Sequence, residues 1–312
     1  MPEPTWIPAF ACPECGSPLV ARATAGASTG PWICRTCATK IVCRRGIVRF
    51  LSDARLTQVE PLIAQYGRLR EQDGYRQRAA AYYRGLPEVA RGDPQHAVWR
   101  IRRQSFRHLC GTVLPRLGRP PLRVLDLGAG NGWLSHRLTL LGNVCVAVDW
   151  LDDADDGLGA ALHYPTTFTR LQADFDHLPL VAGQFNVVIF NASLHYSANP
   201  IATLRTARKA LANGGALVVM DSPVFVRDAD GRRMLAERQQ RFADRIGRPV
   251  EWGAGYLTGD ALARTAREAG LALRQIPSRG GPGWAVKRWF AGRKLRRQPA
   301  SFGIWSFRGR AT

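Results

Sequence analysis

Val124-Leu-Asp-Leu-Gly-Ala-Gly-Asn-Gly-Trp133 reads as a buried strand that breaks into a glycine loop and opens a helix. Val124, Leu125 and Leu127 supply a short apolar strand. Gly128, Gly130 and Gly132 let the backbone turn tightly and lie close to a ligand without Cβ atoms in the way. A helix is expected from Trp133. The spacing departs from that of the nicotinamide dinucleotides, whose fingerprint puts a third glycine where Trp133 stands; Gly132 completes a G-x-G-x-G instead. Asp126, two residues before the first glycine, favours a cofactor that offers an ammonium group to a carboxylate.

The same pattern recurs downstream. Val144 to Val148 reads as a strand ending in Asp149, Phe168 to Ala173 as one ending in Asp174-Phe175, Gln184 to Asn191 as a fourth, and Ala216 to Met220 as a fifth ending in Asp221. Asn199-Pro200 supplies a helix N-cap and first-turn proline. Ile201, Leu204 and Leu211 form the stripe of that helix, with Gly214-Gly215 as its stop. Five strand ends at βαβ spacing place polar groups at the carboxyl edge of a sheet, where open α/β folds bind ligands. S-adenosylmethionine carries an ammonium group and no phosphate. On these motifs, residues about 120 to 308 resemble the class I S-adenosylmethionine-dependent methyltransferases.

That resemblance implies an α/β fold with a Rossmann-like, seven-stranded methyltransferase sheet. It further implies that Asp126, Gly128, Gly130 and Gly132 surround the donor and that Asp149 accepts hydrogen bonds from both ribose hydroxyls. Asp174 and Phe175 fall at the adenine, and Asn191 faces the same crevice. Trp150 packs on the adenine face or seals the pocket. Asn186 replaces the Asp usual in the family's F-D-x-V segment, a change expected to affect packing. Leu271 to Ile276 and Ser301 to Phe307 are expected as an antiparallel hairpin, strands six and seven, around a long basic insertion at about 277–300 that holds Trp284, Trp289 and Phe290.

Methyl transfer from a sulfonium is an in-line displacement of an already activated leaving group, so alignment and exclusion of water dominate. A base is needed only where the acceptor must lose a proton. In Phe190-Asn-Ala-Ser-Leu-His-Tyr196, His195 is the candidate base, with capping of the following loop as its alternative role. Asn191 and Tyr196 are candidates to orient the acceptor; His163-Tyr164 and Asp221-Ser-Pro-Val-Phe225 are placed near it by position alone. The Ser-Leu-His-Tyr segment resembles small-molecule methyltransferases, and the Asn-Pro-Pro-Tyr signature of enzymes that methylate nucleobase or amide nitrogens is absent. A small-molecule acceptor is therefore expected. An rRNA or tRNA base methyltransferase is the rival reading, and a non-catalytic cofactor-binding scaffold is a third.

Cys12, Cys15, Cys34 and Cys37 form a C-x2-C-x18-C-x2-C array, the spacing of a four-thiolate Zn2+ site, with disulfides or free thiols as alternatives. Such a site is closed and structural. Residues about 8 to 52 resemble the zinc-ribbon domain of the tRNA-methyltransferase activator family, which implies a stabilising module fused ahead of the enzyme. The expected domains are a ribbon at 1–54, a helical lid or linker at 55–119 and a methyltransferase domain at 120–312. In the helical region Val98, Ile101, Leu109, Val113 and Leu117 are expected to form the apolar face, and Tyr66, Tyr75, Tyr82, Tyr83 and Trp99 to line a lid or pack the core.

The 312-residue chain has a net charge of +20. Residues 120 to 226 hold six basic and nine acidic residues, residues 55 to 119 hold thirteen basic and five acidic, and residues 279 to 312 hold nine basic and none acidic. This imbalance supports either RNA as a partner or solvated arginine-rich faces. No stretch approaches the ~20 apolar residues of a membrane span, and no signal peptide is evident, so a cytoplasmic location without a membrane partner is expected. The sequence is silent on oligomeric state.

Overall fold

The computed structural model describes residues 6–19, 31–76, 78–246, 253–276 and 283–309. The chain begins with three short strands, β1 (Trp32–Ile33), β2 (Lys40–Arg44) and β3 (Ile47–Arg49), followed by helices α1 (Asp53–Gln72), α2 (Ala80–Gly85) and α3 (His96–His108). The glycine-loop strand β4 (Arg123–Leu127) leads into α4 (Trp133–Leu140), β5 (Val144–Asp149), β6 (Thr169–Gln172) and β7 (Phe185–Asn191). Then come α5 (Pro200–Lys209), β8 (Leu211–Met220), β9 (Val224–Phe225), α6 (Asp228–Ile246) and β10 (Leu257–Thr258). The chain continues through α7 (Gly259–Glu268), β11 (Leu271–Ile276), α8 (Trp284–Leu295) and β12 (Ile304–Gly309). No helix among the described residues is long and apolar enough to cross a membrane.

One sheet runs in the order β1-β2-β3-β6-β5-β4-β7-β8-β12-β11. Its β6-β5-β4-β7-β8-β12-β11 portion is the methyltransferase sheet, parallel from β6 to β8 and closed by the antiparallel β12 and β11. Parallel strands covered on both faces read as apolar runs, and β4 shows why. Val124 packs into one layer with Trp99, Trp133 and Leu134, while Leu125 packs into the other with Val146, Val188 and Phe190. Asn186, at the start of β7, accepts a hydrogen bond from the Arg123 amide at 2.8 Å and so tethers the neighbouring strand.

The sheet has ten strands rather than seven, because the amino-terminal hairpin joins it. β3 pairs in parallel with β6, Ile47 opposite Arg170. The Phe50 amide continues the ladder to the Gln172 carbonyl at 2.8 Å. Phe10 meets Trp32 edge-on at 5.4 Å and Phe50 at 5.2 Å, and all three share a core layer with β4 and β5. One sheet and one apolar core thus run across the expected boundary at residue 54.

Three local expectations change. Helix α5 ends at Lys209, and Leu211 already pairs with Phe185 in β8, so it belongs to a strand and not to the helical stripe. On α3, Trp99 is buried while Val98 is 37% exposed. The indole offers more apolar area, packs against Trp133 at 5.6 Å and donates its Nε1 hydrogen to the Tyr82 hydroxyl at 2.9 Å, and so sets the inward face. The expected loop at 277–300 contains α8, and residues 277–282 lie outside the described residues.

Candidate active site and thiolate cluster

The glycine loop lies over the carboxyl ends of β4 and β5. The Gly128 and Ala129 amides both donate to the Val148 carbonyl, at 2.8 and 3.0 Å. Gly128 has φ +73°, and a Cβ there would meet the Ser193 side chain at 2.3 Å, so glycine is required where the loop presses on the turn after β7. Gly132 has φ +75°, and a Cβ there would meet the Phe168 ring at 2.8 Å. Its absence of a side chain therefore serves packing. Asp149, at the tip of β5, accepts from the Gly130 amide at 2.7 Å and the Leu151 amide at 2.9 Å.

A cavity of about 300 Å³ opens at this edge. Gly128, Gly130, Asp149, Trp150, Phe175 and Asn191 all line it, and the Asn191 side-chain oxygen is buried without a hydrogen-bond partner. Asp126, beneath the loop on β4, and Gly132, at the loop's end, lie outside the lining. Asp126 is buried and accepts from the Ser135 hydroxyl at 2.9 Å through one oxygen, while its other oxygen has no partner. Burial pushes the Asp126 carboxyl up to about 7 and the Asp149 carboxyl up to about 6. Both acids are thus poised to gain from any hydrogen-bond donor or positive charge brought to them.

Asp174 and His195 are placed differently from their expectations. One Asp174 oxygen accepts from Arg55 at 2.6 and 3.2 Å and the other from the Asp176 amide at 3.0 Å, so the acid is engaged and Phe175 and Asp176 line the cavity in its place. His195 is buried outside the lining, with Nδ1 3.2 Å from the Ser222 hydroxyl. Burial, reinforced by the charges of Arg238 and Arg102, drives its imidazolium down to about 3. So weak a base is mismatched to proton removal near neutral pH, and its neighbour Tyr196 is the residue that faces the cavity. His163 stacks on Tyr83 and Tyr164 on His136, while Asp221 bonds the Ser105 hydroxyl at 2.5 Å. None of these lines the cavity.

Helix α1 forms the outer wall with Leu62, Ile63, Tyr66 and Arg70, and α3 adds Arg102. Arg70 forms a two-pronged ion pair with Asp156 and lies 3.3 Å from the Tyr75 ring centroid. Arg49 pairs with Asp152, Arg55 with Asp174, and Arg76 with Asp153 and Asp155. Four of the arginines ahead of β4 thus pair with acids around the cavity. Arg102 lies over the Trp99 ring at 4.7 Å. Gly253 also lines the cavity, and its backbone rests on Tyr196. The Ala254 and Gly255 amides donate to the Ser197 and His195 carbonyls, each at 2.8 Å.

At the far edge of the sheet the four cysteine sulfurs all lie within 4.8 Å of one another. Cys12 and Cys37 are 3.5 Å apart, as are Cys15 and Cys34. A disulfide needs about 2.0 Å, and the four thiols are free. Sulfurs at about 2.3 Å from a tetrahedral ion stand about 3.8 Å apart, so the cluster fits a four-thiolate metal site.

A glycine loop heading the central strand of a β6-β5-β4-β7-β8-β12-β11 sheet, with an acid at the next strand tip, defines an S-adenosylmethionine-dependent methyltransferase fold. The chain belongs to the methyltransferase domain family, which it matches over residues 98–276; it is an enzyme of that class. It is 35% identical over 114 residues to the ubiquinone biosynthesis O-methyltransferase of Caulobacter sp. (strain K31), covering 33% of this chain and 42% of that protein. The match thus spans less than half of that relative's length. An uncharacterized methyltransferase of Mycobacterium tuberculosis is 29% identical over 195 residues, 58% of this chain and 70% of the relative. Among solved structures, a "possible exported protein" from Bordetella parapertussis shares the fold with 19% identity and a TM-score of 0.51, covering 83% of this chain and 88% of that one.

Proposed function

We propose that the cavity holds S-adenosylmethionine and delivers its methyl group to a small-molecule acceptor. The observation that carries this reading is the convergence of the glycine loop, the β5 tip and the β7 tip on one cavity beneath an apolar, aromatic lid. Bound there, S-adenosylmethionine would supply an electrophilic methyl on a positively charged sulfur. Asp149 accepts from the ribose hydroxyls, Trp150 and Phe175 pack the adenine, and Asn191 offers its orphaned oxygen to the donor's ammonium end. Arg102 faces the donor's carboxylate. Asp126 supports this end from below and His195 braces the turn that presents Tyr196, a positioning role in place of a base.

Leu62, Ile63, Tyr66, Tyr196 and Ala198 form the acceptor wall, which excludes water and orients the nucleophile. An apolar and aromatic acceptor wall, with the Arg55 and Arg70 charges already paired, favours a small organic molecule over a phosphate-rich polymer. The Caulobacter relative, an O-methyltransferase of ubiquinone biosynthesis, supports a small acceptor as well. The Cys12, Cys15, Cys34 and Cys37 cluster holds a structural Zn2+ ion that closes the ribbon and takes no part in the transfer.

Titration of the protein with S-adenosylmethionine across pH tests the donor site. Asp149 is held above its usual range by burial, so its proton contributes folded-state stability at low pH that is lost as pH rises through about 6. Donor binding reverses this preference, since ribose hydroxyls stabilise the ionised form. Affinity is therefore expected to be level above pH 7 and to fall about tenfold per pH unit below about 6, one proton being taken up on release. A pH-independent affinity between 5 and 8 would remove Asp149 from the donor site.

A further inference from the structure

We propose that α8 and the arginine groove beside it dock the protein on the surface of an anionic phospholipid bilayer. Val286, Trp289 and Phe290 fall at i, i+3 and i+4 on one face of α8 and are 57%, 54% and 61% exposed. A contiguous exposed stripe of this kind, unlike scattered exposed apolar residues, marks an interaction surface. Lys287 and Lys294 flank it, both exposed, and the described segment 283–309 holds seven basic residues and no acidic one.

Beside the stripe, and sharing Trp289 with it, lies a groove of about 530 Å³ lined by Arg227, Arg288, Arg293, Arg296 and Arg297. Arg227 pairs with Asp230 and Arg297 with Glu237, each at 2.8 Å. Arg288 donates to the Pro299 and Ala300 carbonyls. Arg293 and Arg296 have no ion pair among the described residues, and Arg293 lies over the Trp289 ring at 4.2 Å. The groove therefore carries a surplus of positive charge directly beside an apolar edge. Cationic groups beside exposed aromatics suit a membrane interface, with aromatic side chains among the acyl ends and guanidinium groups on lipid phosphates.

A nucleic acid would meet the same charge but not the same stripe. Stacking bases need an open ring face, whereas Arg293 covers one face of Trp289 and Phe290 stands edge-on to it at 4.9 Å. Val286 offers no stacking surface at all. The expectation of no membrane partner rested on the lack of a spanning segment; docking in the plane of the interface needs none.

The test is co-sedimentation of the full chain with vesicles of phosphatidylglycerol and phosphatidylcholine in equal parts, against vesicles of phosphatidylcholine alone. Pelleting is expected with the anionic vesicles only. In the W289A/F290A double variant partitioning is expected to fall about tenfold, with the melting temperature and S-adenosylmethionine affinity of the parent retained. The Arg293→Gln, Arg296→Gln variant, which keeps the stripe, is expected to bind weakly and with a flattened salt dependence. No pelleting with anionic vesicles at low salt would overturn the proposal, and so would parent-like pelleting of W289A/F290A. Tighter retention on single-stranded RNA than on vesicles, lost in the same variants, would assign the surface to nucleic acid instead. None of these outcomes bears on the donor cavity, which the calorimetric titration tests separately.

Discussion

Asp149→Ala is expected to lower S-adenosylmethionine affinity about 100-fold while leaving the unliganded fold as stable as the parent. Two charge-assisted hydrogen bonds to ribose hydroxyls contribute on the order of 3 kcal/mol, even after the cost of removing the carboxylate from water. The unliganded protein loses little, because burial already works against the Asp149 charge and raises its carboxyl to about 6. Removing the side chain frees the Gly130 and Leu151 amides, which offsets part of that gain. Asp149→Asn, with one acceptor oxygen retained, should fall between the two. Calorimetry with parallel thermal melts separates the outcomes. Undiminished affinity would contradict the donor site, whereas loss of folding in both variants would make Asp149 structural.

The second large effect is expected from metal removal. Energy of zinc binding in a four-thiolate module is folding energy, on the order of 10 kcal/mol or more. Here β3 of the ribbon pairs with β6, and Phe10, Trp32 and Phe50 pack in the core that β4 and β5 share. Chelation or Cys34→Ser should therefore lower the melting midpoint of the whole enzyme by more than about 10 °C, not melt a separate tail. Donor affinity should fall as well, since Arg49, the last residue of β3, pairs with Asp152 in the loop after β5, and α1 follows within a few residues. Metal analysis of the purified protein should find about one zinc per chain. A melting curve and donor affinity unmoved by chelation would leave the cysteine cluster without a structural metal.

What could be read directly from the sequence was what local pattern determines. The glycine loop, the strand-tip acids and the cysteine spacing each depend on a few neighbouring residues, and the structure brings Asp149, Trp150, Phe175 and Asn191 to one cavity. What could not be read depends on partners far along the chain. Nothing near Ile47 announces that it pairs with Arg170, and nothing in α1 announces that Leu62, Ile63 and Tyr66 cover the donor cavity. A signal was present in the charges. The acids at 152, 153, 155, 156 and 174 and the arginines at 49, 55, 70 and 76 are complementary, and the structure pairs them.

His195 shows the opposite failure. Its place after the fourth strand suggested a base, yet the tight turn at Leu194–Tyr196 turns the imidazole into the core and leaves the phenol of Tyr196 at the cavity. Adjacent residues on such a turn face different surroundings, which sequence position alone does not distinguish. The basic excess has a similar lesson. Ahead of β4 four arginines pair with acids around the cavity, and on α8 Arg293 has no ion pair among the described residues and lies over the Trp289 ring.

The central claim, methyl transfer to a small molecule, is tested most directly by incubating the zinc-loaded protein with methyl-labelled S-adenosylmethionine and a cell extract. The products are then separated into RNA, protein and small-molecule fractions, with Asp149→Ala as the blank. Label is expected in the small-molecule fraction, dependent on the intact protein and absent from the blank. Label confined to RNA or protein, or equal in protein and blank, would contradict the account.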